Sequence, residues 1–121
     1  MYDIMATILF TDNQKAAIIS LLIEMINIDR EIDPRECEVF NAICVEHAVS
    51  EDTYKLGRAL DSMAALEFMK RMSDFQKIYT AQLLIRVIDA DEKDDDNEIR
   101  LFNLICSATG VDVLINAWDK E

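Results

Sequence analysis

The residues of this sequence best suited to chemistry are carboxylates, and 11 of the 24 lie in two ten-residue stretches. Residues 27–36 contain four acidic and two basic side chains, whereas residues 89–98 contain seven acidic side chains and one lysine. Together these stretches carry −8 of the formal net charge of −12. Carboxylates held this close repel one another, so a bound cation or another source of positive charge must offset the repulsion.

The start of a helix is one such source, because its unpaired backbone N–H groups and its dipole favour negative charge. Residues 33–36, Asp-Pro-Arg-Glu, are typical of a helix start, with Asp as N-cap, Pro at N1 and Glu reaching back from N3. Residues 95–98 repeat this pattern without the proline. Capping therefore accounts for Asp33, Glu36, Asp95 and Glu98, but it leaves over the acids Asp29, Asp91, Asp94 and Asp96.

A divalent cation is the alternative, since hard ions take several carboxylate oxygens at one point. Neither stretch contains histidine, and Cys37 is the one sulfur nearby, so oxygen ligands predict Ca²⁺, Mg²⁺ or Mn²⁺. An EF-hand is excluded, because its positions 6 and 12 require glycine and glutamate and neither stretch supplies them. The predicted metal ligands are Asp29, Asp33, Glu36, Asp91, Asp95 and Glu98.

Other kinds of site have weaker support. Cys44 and His47 are spaced to share a helix face, but two soft ligands do not make a metal site. Cys44 and Cys106 follow core isoleucines, which predicts buried, unreactive thiols. His47 is the sole histidine, and no nucleophile elbow, glycine-rich phosphate loop or zinc-protease motif is present. Catalysis is disfavoured, with a metal-dependent hydrolase as a distant alternative.

Both acidic stretches lie in copies of one repeated segment. A shift of 62 residues aligns residues 12–50 with residues 74–112 without a gap, and 15 of the 39 pairs are identical. Chance would give roughly two or three identities. Matching Gln-Lys, Phe-Asn and Ile-Cys dipeptides are not explained by shared amphipathic character. The sequence therefore predicts one domain, residues 1–121, with a pseudo-twofold helix–acidic loop–helix duplication and residues 51–73 as the bridge.

The apolar pattern predicts helices throughout. Asp12 and Asp74 are the predicted N-caps of two helices that end near residues 28 and 90 and are apolar almost all round, which is typical of the centre of a bundle. A leading helix over residues 2–10 and two helices within residues 50–72 are also expected. The last helix is predicted to start from Asp112. Two glycines and one proline disfavour hairpin-rich folds, so the prediction is an all-α bundle of about seven helices.

Composition narrows the choice of partners. The acidic surface repels phosphate backbones, which makes nucleic acid a poor partner. The most apolar run, residues 16–28, is too short to span a bilayer and is interrupted by Ser20, Glu24 and Asn27. Without a secretory leader or paired cysteines, a reduced cytoplasmic location is the expectation.

The segment Asp-Arg-Glu-Ile-Asp-Pro-Arg-Glu at residues 29–36, which follows an apolar helix, resembles the D-G-E-[IV]-D-x-x-E signature of the bacterial tellurite-resistance TerB family and its wider TerB-like superfamily. The resemblance covers most of the chain, because that fold is also a helical bundle with a duplicated core. It implies acidic site residues at Asp29, Glu31, Asp33 and Glu36 in the first repeat, and at Asp91, Asp95 and Glu98 in the second.

The chain departs from that signature in two ways. Arg30 and Glu92 replace the usual glycine, and Lys93 replaces the acid expected opposite Glu31. The resemblance implies a non-enzymatic, cytoplasmic, divalent-cation-binding module of a stress or metal-response system. The alternative is a metal-independent protein–protein interaction module whose acidic face docks a basic partner. Direct capture of tellurite is disfavoured, because the net charge would repel that anion.

Overall fold

The computed structural model describes residues 9–28, 31–90 and 96–119, with side chains as far as residue 117. These residues form seven α-helices and no strand, which confirms the predicted all-helical fold. Residues 2–8 of the predicted leading helix lie outside the described residues, and its last two residues, Leu9 and Phe10, are not helical. The helices are α1 (Asp12–Asn27), α2 (Pro34–Glu46), α3 (Glu51–Ala59), α4 (Ser62–Lys70), α5 (Asp74–Asp89), α6 (Asp96–Thr109) and α7 (Val111–Asp119).

The sequence repeat reappears in the positions of the helices. Helices α1 and α5 each span 16 residues, and a shift of 62 residues brings the first onto the second. Gln14 of α1 and Gln76 of α5 are equivalent residues, and their side-chain amides bond to each other with N–O distances of 3.2 and 3.4 Å. The first turns of the two repeats therefore meet across the bundle.

The predicted N-caps of α1 and α5 are wrong by one residue. Thr11 and Ser73 are the caps, and each accepts a hydrogen bond from the backbone N–H of the glutamine at N3. The side-chain Oε1 of that glutamine in turn accepts a hydrogen bond from the backbone N–H of the cap, which completes a capping box. Asp12 and Asp74 lie instead in the first turn, where their charge still favours the helix dipole.

Helix α1 is the centre of the bundle, as its apolar sequence predicted. Seven consecutive residues, 16–22, are buried, and α1 has its most extensive packing with α3 and α4. Met25 of α1, Met69 of α4 and Leu84 of α5 lie in the same core, which contains buried residues from five helices and Val111 at the start of α7, while α3 adds the partly buried Tyr54. A helix that is apolar on nearly every side needs neighbours on nearly every side, and the two helices of the bridge, α3 and α4, supply much of this cover for α1.

Helix α5 differs from the prediction that it is equally buried. Phe75 is 75% exposed and Ile85 is 40% exposed, whereas Leu83, Leu84 and Val87 are buried. The physical reason lies in the neighbours of the two helices. Helix α1 is covered by both α3 and α4, but the described chain holds no counterpart of α4 over α5. One face of α5 is therefore left to solvent.

Left-handed backbone ends the second helix of each repeat at matching positions. Ala48 has a φ of 50° and Gly110 a φ of 88°. Glycine adopts this conformation without steric cost, whereas alanine is strained by roughly 1–2 kcal/mol. Helix α7 starts at Val111, directly after Gly110, so the predicted N-cap Asp112 is wrong: this residue lies in the first turn and accepts a bond from the Val113 N–H.

The longest described helices, α1 and α5, have 16 residues each. None of the helices in the described ranges is both long and apolar enough to cross a bilayer.

Candidate functional site: the acidic bends

The candidate site comprises two acidic bends, defined as residues 28–36 and 90–98, which join α1 to α2 and α5 to α6. Both follow a buried helix and lead into the first turn of the next one. Of the six predicted ligands, Asp29, Asp91 and Asp95 lie outside the described residues, so their role as ligands stays a prediction. Asp33, Glu36 and Glu98 are described.

Asp33 is the N-cap of α2, as predicted. Its Oδ1 accepts a hydrogen bond from the Arg35 backbone N–H at 2.8 Å, and its Oδ2 accepts one from Arg35 Nη2 at 3.0 Å. Both carboxylate oxygens are therefore engaged with the first turn of its own helix. Pro34 occupies N1, where the absence of an N–H costs nothing. Capping by Asp33 is confirmed, and its role as a metal ligand stays a prediction.

Glu36 and Glu98 occupy equivalent positions near the starts of α2 and α6, and both are almost fully buried. Glu36 is 2% exposed and Glu98 is 1% exposed, which places them among the most buried side chains of the described chain. Burying an ionised carboxylate costs several kcal/mol unless nearby donors or charges compensate. A helix N-terminus supplies part of that compensation through its N–H groups and dipole. The arrangement is repeated in both halves of the molecule.

The C-terminal end of α1, which leads into the first bend, lies close to the first half of α6, which follows the second bend. Ile28, the last described residue before 29–30, lines an open groove of about 350 Å³ together with Asn97, Arg100, Leu101 and Leu104 of α6. Helix α1 also packs against α6 directly. Ile28 of the first bend and Asn97 of the second therefore line one groove, and Arg100 adds a basic residue to its lining.

Within residues 9–28, 31–90 and 96–117, no group of three or more His, Cys, Asp or Glu side chains is arranged to hold an ion. In the described parts of the two bends, Glu31 and Asp96 are exposed to solvent.

The reactivity of the Cys44 and Cys106 thiols is determined by how deeply each is buried. Burial raises the pKa of the Cys44 thiol, and burial, with Asp112 adding to it, raises that of Cys106 to about 11. Thiols with raised pKa values stay protonated near neutral pH and are poor nucleophiles. Cys106 is buried as predicted, but Cys44, which lies in the last turn of α2, is only half-buried.

His47 belongs to an aromatic cluster and not to a metal pair with Cys44. Its Nε2 lies 2.8 Å from Tyr79 Oη, and its ring packs edge-on against Phe10 and Tyr79. Burial lowers the pKa of His47, Glu46 opposes that shift, and Lys15 and Arg86 add to it.

A lowered histidine pKa in the folded state means that the unfolded chain binds more protons between the two pKa values. We therefore expect the free energy of unfolding to fall as the pH is lowered through about 6.5, the ordinary pKa of histidine, towards the lower pKa of the folded state. His47→Gln should lack this part of the pH dependence while keeping a polar partner for Tyr79. Urea unfolding at several pH values measures both slopes. Equal slopes for the two proteins would contradict the assignment.

Sequence reasoning missed a second candidate, a cavity beside α1. Ser20, Glu24 and Asn27 line it. Their spacing of four and then three residues places them on one helix face. In the sequence the three residues stand out as interruptions of an apolar run, although their spacing indicates that they share one polar face of α1.

Comparison with protein-family models and with curated proteins gives no significant match. Among solved structures, the chain is similar to a protein of unknown function, PG1108, from Porphyromonas gingivalis W83. The two share 26% sequence identity with a TM-score of 0.72, over 85% of this chain and 86% of the other. The similarity therefore extends over nearly the whole of both chains, and the bundle architecture described above is shared with a solved structure of the same size.

Proposed function

We propose that this protein is a non-enzymatic, TerB-like divalent-cation-binding module of a cytoplasmic stress or metal-response system, with its ion sites at the two acidic bends. The observation that carries the proposal is the matched burial of Glu36 and Glu98, each directly after a bend rich in carboxylates. A carboxylate withdrawn from water beside further carboxylates is more stable with a cation nearby. Oxygen donors favour Ca²⁺, Mg²⁺ or Mn²⁺.

The two bends should bind ions with different affinities. The first bend combines its acids with Arg30 and Arg35, and Asp33 is already engaged by Arg35. The second bend has more acids and a single lysine, Lys93. More negative charge strengthens the attraction for a divalent ion. We expect the second bend to bind more tightly.

Calorimetric titration of chelator-treated protein with Ca²⁺, Mg²⁺ and Mn²⁺ tests the proposal. We expect heat of binding and a rise in melting temperature, because an ion that binds only the folded state at about 100 times its Kd adds about 2.7 kcal/mol of stability. Glu98→Gln should weaken the tighter site and Glu36→Gln the weaker one. Glu38→Gln is the matched control, because this substitution also removes one negative charge but at an exposed position of α2.

Several outcomes decide the matter. No heat and no rise in melting temperature at millimolar metal would eliminate ion binding. Ion binding unchanged in Asp29→Asn combined with Asp91→Asn would show that the named ligands are wrong. Melting curves in the presence of chelator establish that each variant is folded, so that a loss of binding is not a loss of structure.

A metal-independent interaction module is the second candidate, and the groove beside the bends favours it. Ile28, Leu101 and Leu104 give the groove an apolar lining, and Ile32 is 62% exposed in the first bend. An apolar strip next to acidic residues suits a partner helix with one apolar and one basic face. Such a partner would bind equally well with chelator present, which separates this function from the first.

A further inference from the structure

A cavity of about 320 Å³ lies between α1 and the turn that joins α3 to α4, and its lining reaches Ile28 but includes neither Glu36 nor Glu98. From α1 it is lined by Ser20, Glu24 and Asn27, and from the opposite side by Arg58 and Leu60. Its volume falls within the range of small-molecule sites, which combine an apolar lining with a few convergent polar groups.

The walls of this cavity are fixed by hydrogen bonds between helices. Ser20 Oγ donates to the Leu60 carbonyl at 3.1 Å, and Ser62 Oγ donates to the carboxylate of Glu24. Both bonds tie α1 to the turn between α3 and α4. Gly57 brings the backbone of α3 against α1, because a side chain there would collide with Ile19. The cavity is thus part of the packed bundle.

Glu24 and Arg58 face the same cavity with opposite charges, yet they do not pair with each other. Among the ion pairs of the described residues, none includes Glu24 or Arg58. The guanidinium of Arg58 lies 5.7 Å from the centre of the Tyr54 ring, and the carboxylate of Glu24 has the neutral hydroxyl of Ser62 as its partner. The lining of the cavity therefore includes one acidic and one basic residue, neither of which is neutralised by an ion pair with another described residue.

We propose that this cavity binds a free α-amino acid as a zwitterion, with its ammonium group at Glu24 and its carboxylate at Arg58. A simple cation would meet repulsion from Arg58, and a simple anion would meet repulsion from Glu24 and from the acidic protein as a whole. A zwitterion satisfies both charges through charge-assisted hydrogen bonds. Ile23, Ile28 and Leu60 supply an apolar wall, which favours an aliphatic side chain.

The second repeat does not reproduce this site. The residues equivalent to Ser20 and Glu24 are Gln82 and Arg86, and both are exposed on α5. Arg86 forms an ion pair with Glu46 of α2 at 2.9 Å. The amino-acid site therefore belongs to one half of the molecule and goes beyond the proposed ion binding, so either proposal can fail without the other.

Nuclear magnetic resonance titration of the whole chain with L-leucine tests the proposal. We expect saturable shifts of the backbone amides of residues 20, 24 and 58, with a Kd in the roughly millimolar range. L-leucinamide, which lacks the carboxylate, and N-acetyl-L-leucine, which lacks the ammonium group, should each bind at least about tenfold more weakly. Because the probes differ in one charged group each, they report on Arg58 and Glu24 separately.

Two variants and their matched controls complete the test. Glu24→Gln and Arg58→Gln should each weaken leucine binding at least about tenfold. Glu67→Gln and Arg71→Gln, which alter an exposed ion pair on α4, should leave it unchanged. If Glu24→Gln did not fold, Arg58→Gln alone would decide, because Arg58 is exposed. Absence of saturable shifts, equal affinity for leucine and leucinamide, or undiminished binding in Arg58→Gln would overturn the proposal.

Discussion

Replacing Gly57 with alanine should destabilise the protein by about 1–3 kcal/mol, although alanine is the better helix former by about 1 kcal/mol. A Cβ at this position would lie 2.6 Å from Ile19 Cγ2 and 2.9 Å from the Ala16 carbonyl oxygen. Ile19 is among the largest fully buried side chains, and the carbonyl belongs to the backbone of α1, so neither can move without shifting the helix. The collision must therefore force α3 away from α1.

Urea unfolding of Gly57→Ala measures the effect, and Ala42→Gly supplies the matched control. Ala42 is exposed in the interior of α2, so its replacement should cost about 1 kcal/mol through helix propensity alone. If helix propensity alone governed position 57, Gly57→Ala would instead raise the free energy of unfolding by about 1 kcal/mol. A stabilised Gly57→Ala protein would show that α3 does not approach α1 as closely as described.

Truncating the equivalent core leucines, in Leu22→Ala and Leu84→Ala, should each cost about 2–5 kcal/mol. Leu22 is 0% exposed in α1 and Leu84 is 1% exposed in α5, and both belong to the same core. The loss combines the transfer free energy of the missing atoms with the cavity left behind. A domain of this size is stabilised by only about 5–15 kcal/mol, so either change removes a large fraction of the total.

Leu104→Ala is the control for these two variants, because Leu104 is 63% exposed on α6. Its truncation should change the free energy of unfolding by no more than about 0.5 kcal/mol. We also expect Leu22→Ala to cost at least as much as Leu84→Ala, because α1 is covered by two bridge helices and α5 by fewer neighbours. A small effect at Leu22 would contradict the central position of α1.

Local sequence signals were sufficient for most of the fold. The apolar run in residues 16–28 predicted a central helix, and seven of its residues are consecutively buried. Residues 33–36 predicted the start of α2, and Asp33 caps it. These signals depend on neighbours a few residues apart, so they can be interpreted without knowing how the helices pack. The caps of α1 and α5 were misassigned because Thr11-Asp12 and Ser73-Asp74 each offer two adjacent capping residues.

The candidate site was only partly predictable, because burial depends on contacts between residues far apart in the sequence. The repeat aligns Glu36 with Glu98 and places both at the end of an acidic bend, but sequence alone leaves them as helix caps or metal ligands. Their near-complete burial is a property of the folded bundle. Likewise, Cys44 is half-buried whereas Cys106, at the equivalent position, is buried.

The sequence by itself determined the class of fold, the duplication and the uneven charge of the two acidic bends, because periodicity, capping and composition act over short distances along the chain. Only the tertiary structure decided that the duplicated halves differ in their surroundings. The bridge helix α4 covers α1 but has no described counterpart over α5. Glu24 is half-buried in the lining of a cavity that also includes Arg58, whereas its equivalent, Arg86, is exposed, since burial is set by what packs against a residue and not by its position in a repeat.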